Sequence, residues 1–212
     1  MEQNDNRILW VDYTRALAVF CIVLGHIVHN RTVHHFLYSF HVPLCVLLTG
    51  FCFKPKPFKT LLLSLIKKLY LPYIFFSLIS ILVYCMIMPY IEPDITIYLP
   101  KYIVGMLYGN AYLGIVDSAN QSFMHWNMPL WYIPFLCTIS LVAWPIYNKE
   151  NNSAFKNLIV FVVSSIVAMI FYQNAEKKVL FFDLETAIFL FPFFSAGCLF
   201  KKNISDFKKH IV

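Results

Sequence analysis

Three ionisable residues, Asp12, Arg15 and His26, lie within the stretch from Trp10 to His29, which is otherwise apolar enough to enter a bilayer. A charge inside a membrane span is costly, so such a group faces a partner or a cavity and is read first as functional. Histidine, with an ordinary pKa of about 6.5, takes up and returns protons near neutral pH and serves as general base or nucleophile. Arginine stays charged, grips phosphate through its planar fork and also pairs with aspartate. The triplet therefore fits two accounts. In one, Arg15 holds an anionic group while His26 moves a proton. In the other, Asp12 and Arg15 form a structural ion pair and His26 is an interfacial histidine at the helix end.

Spacing favours a shared surface. At 100° per residue, Arg15 and His26 project roughly 20° apart and stand about 16 Å apart along a helix axis. Asp12 lies one turn before Arg15 and about 40° from His26, with Ile22 and His29 on the same stripe. A helix here presents one polar seam along its length.

The rest of the chain must supply the elements that position this seam. Of its 212 residues, 59% are hydrophobic and only 13% charged, and the mean hydropathy of +0.65 excludes an ordinary soluble domain. Six segments approach the roughly 20 apolar residues needed to cross a bilayer, near 8–29, 36–53, 69–89, 128–147, 157–173 and 180–200. The predicted fold class is all-α, a polytopic transmembrane helix bundle with about six spans.

Orientation follows from Lys and Arg. Lys54, Lys56, Lys59, Lys67 and Lys68 follow the second segment, Lys149 and Lys156 the fourth, and Lys201, Lys202, Lys208 and Lys209 the sixth. The opposite connections carry Arg31, Lys101, Lys177 and Lys178. Both termini are therefore expected in the cytoplasm, and the net charge of +6 is accounted for without nucleic acid. Cys21, Cys45, Cys52, Cys85, Cys137 and Cys198 all sit in apolar segments without C-x-x-C spacing, which argues for packing thiols over disulfides or zinc. The leader lacks a basic n-region and the first span carries charges, so a retained helix is expected rather than a cleaved signal peptide.

Between the second and third spans, Pro55 and Pro57 break the helix, and the lysine-flanked stretch that follows reads as a segment lying on the membrane. Residues 90–127 form the long external connection, whose apolar run from Tyr98 to Leu113 can dip into the interface. His29, His34, His35 and His125 read as external and solvated, and Asp183 and Glu185 as acids flanking the sixth span.

Four short patterns now carry a resemblance. Asp12-Tyr13-Thr14-Arg15 is followed, after ten residues ending in Gly25, by His26; Phe40-His41-Val42-Pro43-Leu44 precedes Thr49-Gly50-Phe51; Lys67-Lys68-Leu69-Tyr70-Leu71-Pro72-Tyr73 opens the third span; and Pro129-Leu130-Trp131-Tyr132 opens the fourth. In this order they resemble the motifs of integral-membrane acyltransferase family 3, the O-acetyltransferases of bacterial cell-surface sugars. Its members usually have about ten bilayer-length spans, so residues 1–212 read as a single acyltransferase-like domain incomplete at its C-terminus, truncated or divergent.

The resemblance implies a multi-pass protein of the bacterial cytoplasmic membrane that moves an acetyl group from cytoplasmic acetyl-CoA to a hydroxyl of a cell-surface or lipid-linked polysaccharide. It implies no bound cofactor and no metal; the partners are acetyl-CoA, the glycan or lipid-linked sugar acceptor and the bilayer. His26, Arg15 and Asp12 are the expected catalytic residues: His26 the base or acyl carrier, Arg15 the donor-side cation, and Asp12 its partner in the seam. His41 and Trp131 are the expected substrate contacts, against a packed inter-helix histidine and a belt tryptophan. Two other readings stay open: an inactive fragment or partner subunit of such an enzyme, and a metal-binding or transport protein built on His26, His29, His34, His35 and His41.

Overall fold

The computed structural model of the protein describes residues 8–28, 30–91, 99–109, 128–148, 153–174 and 180–211. Every regular element among them is helical: α1 (Leu9–Ile27), α2 (Arg31–Cys52), α3 (Phe58–Leu65), α4 (Leu71–Ile91), α5 (Leu99–Tyr108), α6 (Tyr132–Tyr147), α7 (Ala154–Asn174) and α8 (Leu184–Ile211). Among the described residues, five helical stretches are long and apolar enough to cross a membrane: Leu9–Ile27, Arg31–Cys52, Phe58–Ile91, Ala154–Gln173 and Phe181–Asn203. The chain is thus an all-α polytopic membrane protein. The fourth predicted span is the exception in length: Met128–Trp131 is a 3-10 turn and α6 has only 16 residues, roughly 24 Å of helix against a hydrocarbon core of about 30 Å.

The chain divides into two compact units. The first comprises Met1–Phe53, Asn151–Ala168 and Leu190–Val212. Its α1 and α2 form an antiparallel hairpin, closed by Asn30, whose side chain accepts hydrogen bonds from the backbone of Thr32 and Val33 at 3.0 and 3.2 Å. This satisfies two of the four N–H groups a helix start leaves without partners. On α1 the buried residues Val11, Ala18, Cys21 and Gly25 recur along one side of the helix, and Val11 packs on Leu48 and Phe51.

Helix α2 then meets α8 almost backbone to backbone. A Cβ on Gly50 would stand 2.0 Å from the Phe194 carbonyl oxygen, and one on Gly197 would stand 2.0 Å from that of Leu47. Only hydrogen fits at either position. Lipid chains are as apolar as leucine, so helices in a bilayer associate through such close packing and inter-helix hydrogen bonds rather than through water exclusion. Cys198 Sγ donates to the Gly50 carbonyl at 3.3 Å, and Lys201 Nζ donates to Phe53 O at 2.7 Å, placing a cation where the carbonyl end of the α2 dipole wants one. Ser164 of α7 reaches Ser195 of α8 at 3.2 Å.

The second unit comprises Lys54–Glu150 and Met169–Phe189. Here the structure departs from the expectation of a separate segment on the membrane followed by a span from Leu69. Helix α3 runs through a π-helical turn, Ile66–Tyr70, directly into α4. Pro72 explains the turn: it has no N–H, and its ring collides with the carbonyl four residues back. A wider turn just before it absorbs the misfit and lets the helix continue. Helix α5 lies within the long connection, and its phenol Tyr102 donates to Tyr84 Oη at 3.2 Å. Tyr73, fully buried, donates to the Met106 carbonyl at 2.7 Å. At the other end of α6, Trp144 Nε1 donates to Lys56 O at 2.9 Å.

Asp183 also departs from its reading as a flanking acid, because its side chain is 0% exposed. It follows Phe182 in a short turn where both residues take left-handed backbone, φ 56° and 51°. Phe182 is fixed by Thr138 Oγ1, which donates to its carbonyl at 2.7 Å, and by stacking on Tyr70 at 5.7 Å. Glu185, in the first turn of α8, accepts from the Leu180 backbone N–H at 3.1 Å.

Candidate functional site

The α1–α2 hairpin holds four of the five sequence-predicted site residues. Asp12 is half-buried, whereas Arg15 and His26 are exposed on one flank of the buried stripe of α1. His41 is packed away at 2% exposure. Trp131 belongs to the other unit, where it is half-buried with its ring 5.7 Å from Phe135 and 5.8 Å from Tyr132. His29 and His125 lie outside the described residues.

The helix itself orients the His26 ring. Its Nδ1 lies 2.7 Å from the Ile22 carbonyl oxygen, one turn back. A carbonyl oxygen only accepts, so the hydrogen of this bond sits on Nδ1. In the neutral ring the lone pair is then on Nε2, which is the tautomer a proton acceptor needs, and a hydrogen bond at one ring nitrogen is the usual device for setting the other. His41 repeats the arrangement: its Nδ1 donates to Leu37 O at 2.6 Å. The two differ in access, His26 being exposed and His41 buried.

A residue outside the sequence-predicted set stands between them. Tyr38 brings its hydroxyl 3.4 Å from His26 Nε2, sets its ring edge to face with His41 at a centroid distance of 4.8 Å and an interplanar angle of 84°, and stacks on His34 at 4.1 Å and 19°. His34 is therefore half-buried rather than simply solvated, while exposed His35 accepts from Arg31 Nε at 3.4 Å. The spacing His34, Tyr38, His41 is i, i+4, i+7, one face of a helix, and that is the signal the sequence offers. Room for the ring comes from Gly25, where a Cβ would be 3.0 Å from Tyr38 Cε2.

Chemically, this end of the hairpin presents one exposed imidazole with an oriented lone pair, a phenol against it and a second imidazole behind. Such a set can accept a proton from an alcohol or carry an acyl group on nitrogen. Arg15 adds a fixed positive charge three turns away on the same helix. Among the described residues, no group of three or more His, Cys, Asp or Glu side chains is arranged to hold a metal ion.

Comparison with known proteins bears on which chemistry this is. No curated protein matches the chain, and no solved structure does. The sequence model of one family, described as "Acyltransferase domain", matches residues 8–210, a stretch that includes the whole hairpin and every motif residue named above. The chain belongs to acyltransferase family 3, a family of membrane acyltransferases.

Proposed function

We propose that the protein transfers an acetyl group from acetyl-CoA, arriving from the cytoplasm, to a hydroxyl of a cell-surface or lipid-linked polysaccharide at the bacterial cytoplasmic membrane. The observation that carries this reading is the exposed His26 ring with Nδ1 bonded to the Ile22 carbonyl, which leaves Nε2 to take a proton. In the step proposed, the acceptor hydroxyl oxygen bonds to the thioester carbonyl carbon while its proton passes to Nε2. The C–S bond then breaks, and the imidazolium returns the proton to the departing thiolate. Arg15 holds the anionic, phosphate-bearing part of the donor, and Asp12 tunes that end of the seam. His41 supports the hydroxyl-accepting end from behind.

Orientation is part of the proposal: Arg15 toward the cytoplasm, His26 toward the outer face, and both termini inside, as the lysine distribution favours. The deciding experiment compares the acetyl content of surface polysaccharide from cells expressing the wild-type chain and His26→Ala. Loss of a base contributing about 10²–10⁴-fold takes acetylation to background. Unchanged acetylation removes His26 from the mechanism. Accessibility of a cysteine placed at Lys59 to an impermeant thiol reagent reads orientation independently, and labelling from outside intact cells reverses it.

A further inference from the structure

We propose that Tyr38 is the positioning residue for His26, an inference that rests on the reading of His26 Nε2 as the proton acceptor. Because Nδ1 carries the ring hydrogen, the 3.4 Å contact between Tyr38 Oη and Nε2 has one polarity: the phenol donates. The distance is long for a hydrogen bond, so the phenol holds the ring in place and is displaced from Nε2 by an incoming hydroxyl at small cost. A phenol is also an acceptor. It can therefore donate to the neutral imidazole in the resting site, yield the single Nε2 lone pair to the acceptor hydroxyl when that arrives, and accept from Nε2–H once the ring is protonated. Tyr38 keeps its own proton throughout, while the acceptor's proton goes to Nε2 and then to the thiolate of the thioester donor.

The placement is built rather than incidental. Tyr38 is held on one side by the parallel His34 ring and on another by the His41 edge contact, and the His41 ring is in turn tied to Leu37 O. Across the hairpin, Gly25 leaves space that even a methyl group would narrow to 3.0 Å. A tyrosine serving only as a membrane-facing aromatic needs neither the slot nor the imidazole at its hydroxyl. In the resting site His26 is thus held at both nitrogens, tightly by its own helix at Nδ1 and loosely by the neighbouring helix at Nε2.

Tyr38→Phe separates the hydroxyl from the ring, because phenylalanine keeps the stacking and the fit against Gly25. Two readouts apply to the full chain: acetyl-transfer kinetics, and ¹⁵N spectra of histidine-labelled protein with the His26 signal assigned by its absence in His26→Asn. The expected result is kcat lowered by up to about 10²-fold, the order of loss for a group misplaced by about 1 Å, with the acceptor KM unchanged and the Nε2 resonance moved toward that of a nitrogen without a hydrogen bond. A wild-type kcat overturns the inference, whether or not the resonance moves, and so does an unmoved resonance. Should His26→Ala retain full activity, it is the base assignment that fails, and the spectrum still reports whether Tyr38 holds the ring.

Discussion

Gly25 and Tyr38 face each other across the α1–α2 hairpin so closely that a Cβ on Gly25 would lie 3.0 Å from Tyr38 Cε2 and 3.4 Å from Cδ2. The neighbour is the ring of a side chain 40% exposed, not backbone, so it has room to give way by a few tenths of an ångström. Alanine also removes the helix penalty of glycine, about 0.5–1 kcal/mol. Gly25→Ala is therefore expected to leave thermal stability unchanged or slightly raised while lowering acetyl transfer severalfold, because the displaced phenol no longer meets Nε2. Valine, with two γ-carbons, displaces the ring further and gives the larger loss. Parallel measurement of the unfolding midpoint in detergent and of transfer rate distinguishes this from simple misfolding, which moves both together.

Gly50 and Gly197 make the opposite case. Their added Cβ atoms would meet carbonyl oxygens of the facing helix at 2.0 Å, and backbone cannot rotate aside. Gly50→Ala and Gly197→Ala each force α2 and α8 apart at this crossing and break the Cys198 contact to Gly50 O. An expected cost of about 3 kcal/mol or more, the upper range for overpacking, shows as low yield and early unfolding in detergent. The two substitutions press on the same crossing, so the pair costs less than the sum of the singles. Thermal unfolding of the three variants checks both statements.

Some of these features are legible in the amino-acid sequence and others are not. The polar seam of α1 is visible there because charge within an apolar run has few explanations, and the hairpin because so few residues separate two apolar runs, with Asn30 at the turn. Gly25 and Gly50 stand in motifs, yet nothing in the sequence distinguishes a glycine beside a pliable ring from one against a carbonyl. Tyr38 is obscured by its surroundings: in a chain with 13 tyrosines and 21 phenylalanines, one more aromatic in a span reads as packing or belt. Pro72 reads as a helix start because proline is favoured there, and only the preceding π-turn reveals a helix that passes through. Asp183 is the least legible, since left-handed backbone at a residue other than glycine leaves only a weak compositional mark.

The Phe182–Asp183 turn carries strain that its neighbours must hold, of order 1–3 kcal/mol for each left-handed residue. Asparagine tolerates that conformation as aspartate does and matches its size, so Asp183→Asn is expected to fold with little change in midpoint. Asp183→Val places a β-branched residue at φ 51° and loses several kcal/mol. Thr138→Val tests the clamp from the other side. It removes the 2.7 Å bond to the Phe182 carbonyl, at a cost of about 1–3 kcal/mol if that oxygen finds no other donor. Unfolding midpoints ordered wild type, Thr138→Val, Asp183→Val are the expected outcome; a stable Asp183→Val shows that the turn relaxes without its acid.

His26 and His41 share one device, an Nδ1–H bond to the carbonyl four residues back, and differ in exposure. Burial keeps His41 Nε2 from an incoming sugar, so its contribution passes through the Tyr38 ring that it supports edge-on. His41→Phe preserves an aromatic edge of similar size and removes a polar ring from the apolar interior, while the Leu37 carbonyl keeps its own helical partner. Transfer is expected to fall by no more than about 10²-fold, the scale of a lost positioning contact, with the protein still folded. His26→Phe, by contrast, removes the exposed lone pair and leaves only background activity. If instead His41→Phe is as inactive as His26→Phe and equally stable, His41 exchanges protons itself. Mass spectrometry of protein quenched during turnover then identifies which imidazole, if either, carries an acetyl group, because an acyl-histidine adds its mass to one peptide only.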